Sequence, residues 1–226
     1  MPEHGESIRA AMADLLNGHA PDSGLHQALT AITTTAVKVV DGVDFADIMI
    51  IADEGRARSV SATAVPLLAE LDDVQMTLRQ GPCLSAAVGG SMIRCTDLRE
   101  DERWPGYAAA AVAAGVHSML SFQLATAPHG VGALNLFGLE PRAPDPAAEA
   151  IGALLATLAT VAMMTAHRET QFEAALAGRD VIGQAKGILM NHFKVDASRA
   201  FDMLRSISQA DNTPLRLVAL KVVESL

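Results

Sequence analysis

The run Arg179-Asp180-Val181-Ile182-Gly183-Gln184-Ala185-Lys186-Gly187-Ile188-Leu189-Met190 holds the side chains whose types and spacing point most directly to chemistry. Read as a helix at 100° per residue, Val181, Ile182, Ala185, Ile188, Leu189 and Phe193 share one apolar arc. Arg179, Gly183, Gln184, Lys186 and Gly187 take the opposite arc. Two glycines inside a helix cost about 1 kcal/mol each relative to alanine, and they lie away from the face that packs. Glycine lets a ligand or another backbone approach closely. A cation and an amide flanking that bare strip can bond phosphates and base edges. The same strip also suits a close helix crossing between two copies of the chain.

Other reactive side chains organise less well. Cys83 and Cys95 are twelve residues apart, and a redox switch there needs a lowered thiol pKa or a resolving partner. Two buried thiols are the plainer reading. The seven histidines, His4, His19, His26, His117, His129, His167 and His192, form no pair at metal-ligand helical spacing. Gly-x-Ser-x-Gly, His-Glu-x-x-His, a P-loop and paired Cys-x-x-Cys are all missing from the sequence. Asp72-Asp73 and Glu100-Asp101-Glu102 read as solvated acidic faces. No enzyme, no metal and no cofactor is expected.

The chain has 226 residues, half of them hydrophobic, with a formal charge of −9. Length alone allows one to two domains. The charge is uneven: residues 1–170 carry ten Lys and Arg against twenty Asp and Glu, whereas residues 171–226 carry seven against six. An acidic front argues against bulk nucleic-acid binding there, and the tail is a different object. The most apolar run, Ile151 to Ala166, is rich in Ala and Thr and ends at His167-Arg168, so no membrane span is expected. The acidic, polar N-terminus reads as no signal peptide. With two cysteines and no disulfide framework, a reducing cytoplasm is the expected location.

The elements that must position these residues follow from periodicity. Helices are predicted at Ile8–Leu16 and Leu25–Val40, and strands at Phe45–Ala52 and Ala57–Thr63 around an Asp53-Glu54-Gly55 turn. A helix at Pro66–Leu78, the punctuated Gly81-Pro82-Cys83 segment and a strand at Ser91–Cys95 come next. Strands at His117–Thr126 and Val131–Phe137 close the region around His129-Gly130. This order implies an α+β domain with an antiparallel sheet and flanking helices. Ala147 to about Phe193 reads as one long helix. Its every-3.5-residue seam runs Ile151, Leu155, Leu158, Ala162, Thr165, Glu169, Phe172, Leu176, which allows a parallel coiled coil with a weak polar middle. The helix packing on its own domain is the plainer reading, and it does not exclude the coiled coil. Asp196 is a predicted N-cap for Ala197–Gln209, and Thr213-Pro214 a predicted cap and first-turn proline for Leu215–Glu224. Three helices with facing apolar stripes make an all-α bundle.

With the Arg179–Met190 run, the segments Ala200-Phe201-Asp202-Met203-Leu204-Arg205 and Ser206-Ile207-Ser208 closely resemble the ANTAR domain. The resemblance spans Leu176 to Glu224 and implies a three-helix module that binds paired RNA hairpins in nascent transcripts, so that transcription reads through a terminator. Dimerisation through the preceding coiled coil is the mechanism it implies. Gln184, Lys186 and Arg205 are then the first candidate RNA contacts, Arg179 and Arg216 the next, with Gly183 and Gly187 as the open strip.

The front of the chain resembles a GAF domain, through its element order, Arg79-Gln80-Gly81-Pro82-Cys83, Trp104-Pro105 and the strand approached through Gly115 to Phe122. That resemblance implies a small-molecule sensor of unknown ligand, with Phe45, Cys83, Trp104, Tyr107, His117 and Met119 as candidate pocket residues. The cyclic-nucleotide signature is not visible. A bilin on Cys83 or Cys95, or haem on His117, is not expected. No receiver-domain acidic pattern is present either. The expected organisation is an N-terminal helical segment at 1–24, a GAF-like domain at 25–145, a helical coiled-coil linker at 146–175 and an ANTAR-like bundle at 176–226. The expected function is a homodimeric, signal-responsive antitermination regulator. The alternatives are a dimerising interaction module whose GAF fold has lost its ligand, and a cysteine-based redox sensor.

Overall fold

The computed structural model describes residues 24–51, 57–63, 65–89, 92–125, 131–143 and 145–225. The helix read at Ile8–Leu16 and the turns at 53–55 and 129–130 lie outside the described residues. The chain divides into two compact units at Ala166/His167.

The first unit is built on five antiparallel strands: β1 (Phe45–Ile51), β2 (Ala57–Ala62), β3 (Met92–Cys95), β4 (Ser118–Ala125) and β5 (Val131–Gly138). Their order across the sheet is β2-β1-β5-β4-β3. Helices α1 (Leu25–Val39), α2 (Val65–Leu78), α3 (Pro82–Gly89) and α4 (Pro105–Ala113) surround it, and α5 (Pro146–Phe193) follows. Side chains alternate across a strand, so each strand contributes to two cores. Ile48, Leu120, Phe122, Leu124, Leu134 and Leu136 face α1 and the start of α5. Met49, Ile51, Cys95, Met119, Ala133 and Phe137 face the other way, with apolar residues of α2, α3 and α4 packed in the same cluster.

Helix α5 begins at Pro146, a residue suited to a first turn, and the Asp145 Oδ1 accepts the Ala148 N–H at 2.7 Å. Its first turns belong to the core of the first unit. Leu155 and Ala159 are fully buried there, and Met163 is buried. A Cβ on Gly152 would lie 2.4 Å from the Phe122 ring, so glycine sets how closely α5 approaches the sheet. Arg94 Nη2 on β3 donates to Glu149 Oε2 at 2.6 Å and ties the sheet edge to the same helix. The first half of the seam expected in the linker at 146–175 therefore takes the reading of a helix packed on its own domain. Ile151, Leu155 and Leu158 are used on the protein's own sheet, because an aromatic and leucine-rich sheet face was available to bury them. Beyond that point Phe172 and Leu176 are exposed. Helix α5 also contains a window long and apolar enough to cross a membrane, with mean hydropathy 1.7. The sequence reading found no such run, because it counted small and polar interruptions that hydropathy averages over.

The second unit holds the end of α5 with α6 (Ala197–Ala210) and α7 (Leu215–Glu224). Lys194 in the left-handed region, φ 55°, turns the chain out of α5. Asp196 caps α6 as expected, its Oδ1 accepting the Arg199 N–H at 2.7 Å. Ala185, Leu189, Ala200, Leu204, Val218 and Ala219 form the small core. The cap of α7 differs from expectation. Pro214, not Thr213, occupies the cap position and no side chain caps it. The Thr213 hydroxyl instead donates to the Asp211 carbonyl, a local turn bond that competes with capping.

Candidate functional site

In the second unit the candidate RNA-binding residues lie on the outside of the bundle. Arg179, Gly183, Gln184, Gly187, Arg205 and Arg216 are exposed, and Lys186 is half-buried. A Cβ built on Gly183 or Gly187 would meet nothing within 4 Å. No packing among the described residues explains these two glycines. Lys186 Nζ sits 5.9 Å from the centroid of the Phe201 ring, a cation–π arrangement. Phe201, an apolar ring on α6, is 36% exposed and lies outside the small core. Arg205 lies one turn further along α6 on the same side. The Arg216 Cβ comes to 4.0 Å from where a Gly178 side chain would begin, which brings α7's cation beside the helix turn that carries Arg179. The face thus combines an open strip, cations, an amide and an accessible ring. Phosphate oxygens, base edges and base faces find partners there.

In the first unit the structure gathers four of the six candidate pocket residues. Cys83 and Tyr107 are fully buried, Met119 and Trp104 nearly so, all in the cluster on the α2–α4 side of the sheet. Phe45 packs against it from a half-buried position. His117 does not join them. It is half-buried just before β4, close enough to Asp97 to help hold that carboxyl down at about 2 behind the larger effect of Arg99. Its backbone is tied to Leu98 and Gly138. Trp104 Nε1 donates to Ser85 Oγ at 3.0 Å, and the Tyr107 hydroxyl donates to Met119 Sδ at 3.1 Å. A cavity lined by Gly42, Val43, Ser118, Met119, Gly138 and Arg142 lies where β4 begins and β5 ends.

The sequence reading missed a polar row through the middle of this cluster. Asp47 on β1 lies opposite Asn135 on β5, and Asn135 opposite Ser121 on β4. All three are fully buried. Asn135 Nδ2 donates to Asp47 Oδ1 at 2.7 Å. Above the row, α2 contributes Asp72, 5% exposed, and the fully buried Gln75. The reading of Asp72 as solvated is thus corrected: it occupies the inward face of an amphipathic helix, and its neighbour Asp73 the outward one. Burial and the nearby Asp72 push the Asp47 carboxyl well up, and burial raises Asp72 to about 7. The signal was present in β1 and β5 as a single polar residue at an inward position, whereas β4 carries both Ser121 and Gln123 on that face. Strand order, which a sequence does not display, makes them one row.

The Arg79-Gln80-Gly81-Pro82-Cys83 segment closes the cluster. Gln75 Oε1 accepts the Cys83 N–H at 3.1 Å, while Gln75 Nε2 donates to Cys83 Sγ at 2.8 Å. Gly81, at φ 148°, leaves room for this, since a Cβ there would sit 1.9 Å from Gln75 Oε1. Both thiols are free. Burial raises the Cys83 thiol, with Asp47 and Asp72 adding to it, and burial with Asp101 pushes Cys95 up to about 12. Such thiols stay protonated and unreactive, which argues against the redox-sensor reading.

Comparison with known proteins agrees with both halves. The GAF domain family matches residues 22–164, and the ANTAR domain family matches residues 170–223. Among solved structures, the GAF domain of an Acinetobacter phosphoenolpyruvate-protein phosphotransferase superposes with a TM-score of 0.55 at 16% identity, over 72% of this chain and 93% of that one. The corresponding GAF domain from Coxiella burnetii gives 0.56 at 16% identity, over 74% and 96%. Bacteriophytochrome RpBphP3 from R. palustris gives 0.60 at 13% identity, covering 90% of this chain and 46% of that one. At such identities the likeness is one of fold. No match was found among curated proteins. A GAF domain with a five-stranded antiparallel sheet followed by a helical ANTAR domain defines a class of signal-transduction regulator. The chain belongs to the GAF domain family and carries a C-terminal ANTAR domain, the arrangement of a GAF–ANTAR regulator of transcription antitermination.

Proposed function

We propose that this chain binds paired RNA hairpins in nascent transcripts through its C-terminal bundle, and that a small molecule bound in the first unit controls this. The observation that carries the reading is the open Gly183/Gly187 strip flanked by Gln184 and Lys186, with Lys186 over an accessible Phe201. Phosphates supply much of RNA affinity, and unpaired loop bases are what a protein reads. Lys186 suits the first task and Phe201 the second, by stacking. On this reading the protein works in the cytoplasm as a homodimer and catalyses nothing. Its two hairpins are held by two copies joined along the exposed Phe172 and Leu176 of α5.

Fluorescence anisotropy with a labelled hairpin tests the assignment. Lys186→Ala is expected to weaken binding at least about tenfold and to reduce the salt slope by about one. Phe201→Ala is expected to cost about 1–3 kcal/mol of binding, the worth of one base stacked on a ring. Unchanged affinity in both variants would overturn the reading.

The exposure of Phe172, 66%, and Leu176, 47%, favours a second reading, in which the chain serves mainly as a dimerising interaction module. It predicts that Phe172→Asp abolishes the dimer and that no variant binds RNA.

A further inference from the structure

The polar row in the first unit holds more acceptors than donors, the Ser121 hydroxyl being its one donor without a partner among the described residues. Asp47 Oδ2, both Asp72 oxygens and Asn135 Oδ1 are buried without a hydrogen-bond partner among the described residues. Asn135 has committed its amide N–H to Asp47 Oδ1, and Gln75 has committed its own to the Cys83 sulfur. No Lys or Arg acts on either carboxyl among the described residues; the further charge beside Asp72 is Asp73, also negative. Two carboxyls in an apolar cluster are strongly unfavourable without a cation or a shared proton. Empty, the pair holds a proton between its members, consistent with the raised Asp47 and with Asp72 at about 7. The other groups around it are Gln75 on α2, Cys83 on α3, Tyr107 on α4, Cys95 on β3, Ser121 on β4 and Asn135 on β5, none of them positive.

We propose that this cluster binds a small organic cation, a primary ammonium or amidinium on an apolar body, whose N–H donors satisfy the free oxygens of Asp47, Asp72 and Asn135. The proposal deepens, and rests on, the reading of the first unit as a ligand sensor. Met49, Leu68, Tyr107 and Met119 in the surrounding cluster suit the apolar body. They offer a hydrated metal ion no further carboxylate or carbonyl ligands, and no group of three His, Cys, Asp or Glu side chains able to hold a metal occurs among the described residues. Asp47, Gln75, Tyr107 and Asn135 are fully buried, so a ligand reaches the free oxygens only if the packing around them opens. Binding of the cation displaces the shared proton to solvent.

Isothermal calorimetry on the full chain tests this with n-butylammonium and benzamidinium, against butan-1-ol, benzamide and magnesium chloride. The expected result is saturable binding of at least one organic cation and none of its neutral counterpart. Titrations in buffers of different ionisation heat should show release of about one proton, and affinity should fall about tenfold per pH unit below about 7. Asp47→Asn and Asp72→Asn, both isosteric and both relieving a buried charge, should each weaken binding at least about tenfold while the circular dichroism spectrum is unchanged. The proposal is overturned if neither cation binds, if the neutral analogues bind equally, if Asp47→Asn leaves affinity unaltered, or if magnesium binds at the carboxyls instead. RNA is absent from these titrations, so their failure is distinct from failure of the RNA-binding reading.

Discussion

At the scale of single residues, Gly183 and Gly187 separate stability from function. A Cβ at either meets nothing, and alanine is the better helix former by about 1 kcal/mol. Gly183→Ala and Gly187→Ala are therefore expected to raise stability in urea denaturation by about that amount each. They are also expected to weaken hairpin binding by about tenfold or more, since a methyl now fills the approach path. Stabilised variants that bind as well as the parent would show that the strip serves no ligand. Asp72 gives the opposite kind of prediction. Its carboxyl ionises near 3.8 when unfolded and about 7 in the fold, so between those values the folded chain holds the extra proton. This contribution is fully present below the unfolded value and is lost as pH rises through about 7, at no more than about 1.4 kcal/mol per pH unit. Asp72→Asn should flatten that part of the stability–pH curve measured by chemical denaturation. The candidate site was legible on these terms only in part. The Arg179–Gly187 part of the candidate face was legible because those residues sit on one helix, where spacing fixes orientation, whereas Phe201 on α6 joins Lys186 only through packing between helices. The Asp47–Asn135–Ser121 row could not, because its members are brought together by pairing between distant strands.

At the scale of elements, the long helix carries the main revision. Periodicity located α5 and its seam, but one apolar stripe serves equally for a coiled coil or for packing on a sheet. Burial decides it locally: Leu155 is enclosed by the sensor core, whereas Thr165, Glu169, Phe172 and Leu176 are exposed. In the proposed dimer Thr165 and Glu169 would make a weak polar layer, and a coupler that shifts between packings there would be the bistable element on which a signal must act. Replacing both with leucine should raise the dimer fraction in light scattering and blunt the effect of a sensor ligand on RNA binding. An unchanged ligand response in that variant would remove the coupler from the mechanism. Closer to the sheet, Gly152→Ala should destabilise the first unit by about 1–3 kcal/mol through overpacking against Phe122, read as a lower midpoint in thermal melting. Elements of strong pattern were legible to within a residue or two, as β1, β5 and α6 show. The α7 cap was not, because Thr213 had two competing backbone partners and the sequence does not rank them.

At the scale of the whole molecule, the order of the two units carries the function: a sensor fold with a closed polar core precedes a small bundle whose exposed face bears its cations. The charge distribution follows the same division, with the acidic excess confined to the front and near balance in the last 56 residues. A near-neutral module binds RNA only if its cations share a face with something that reads loops, so loop specificity is the most direct test of the account. The measurement is a titration of the full chain into an RNA of two short stem-loops and into the same RNA with scrambled loops, at two salt concentrations. The account predicts tight binding to the first, at least about tenfold weaker binding to the second, and loss of the difference in Lys186→Ala. Equal binding to both RNAs, falling steeply with salt, would contradict it, because it would reduce the candidate face to a general electrostatic contact.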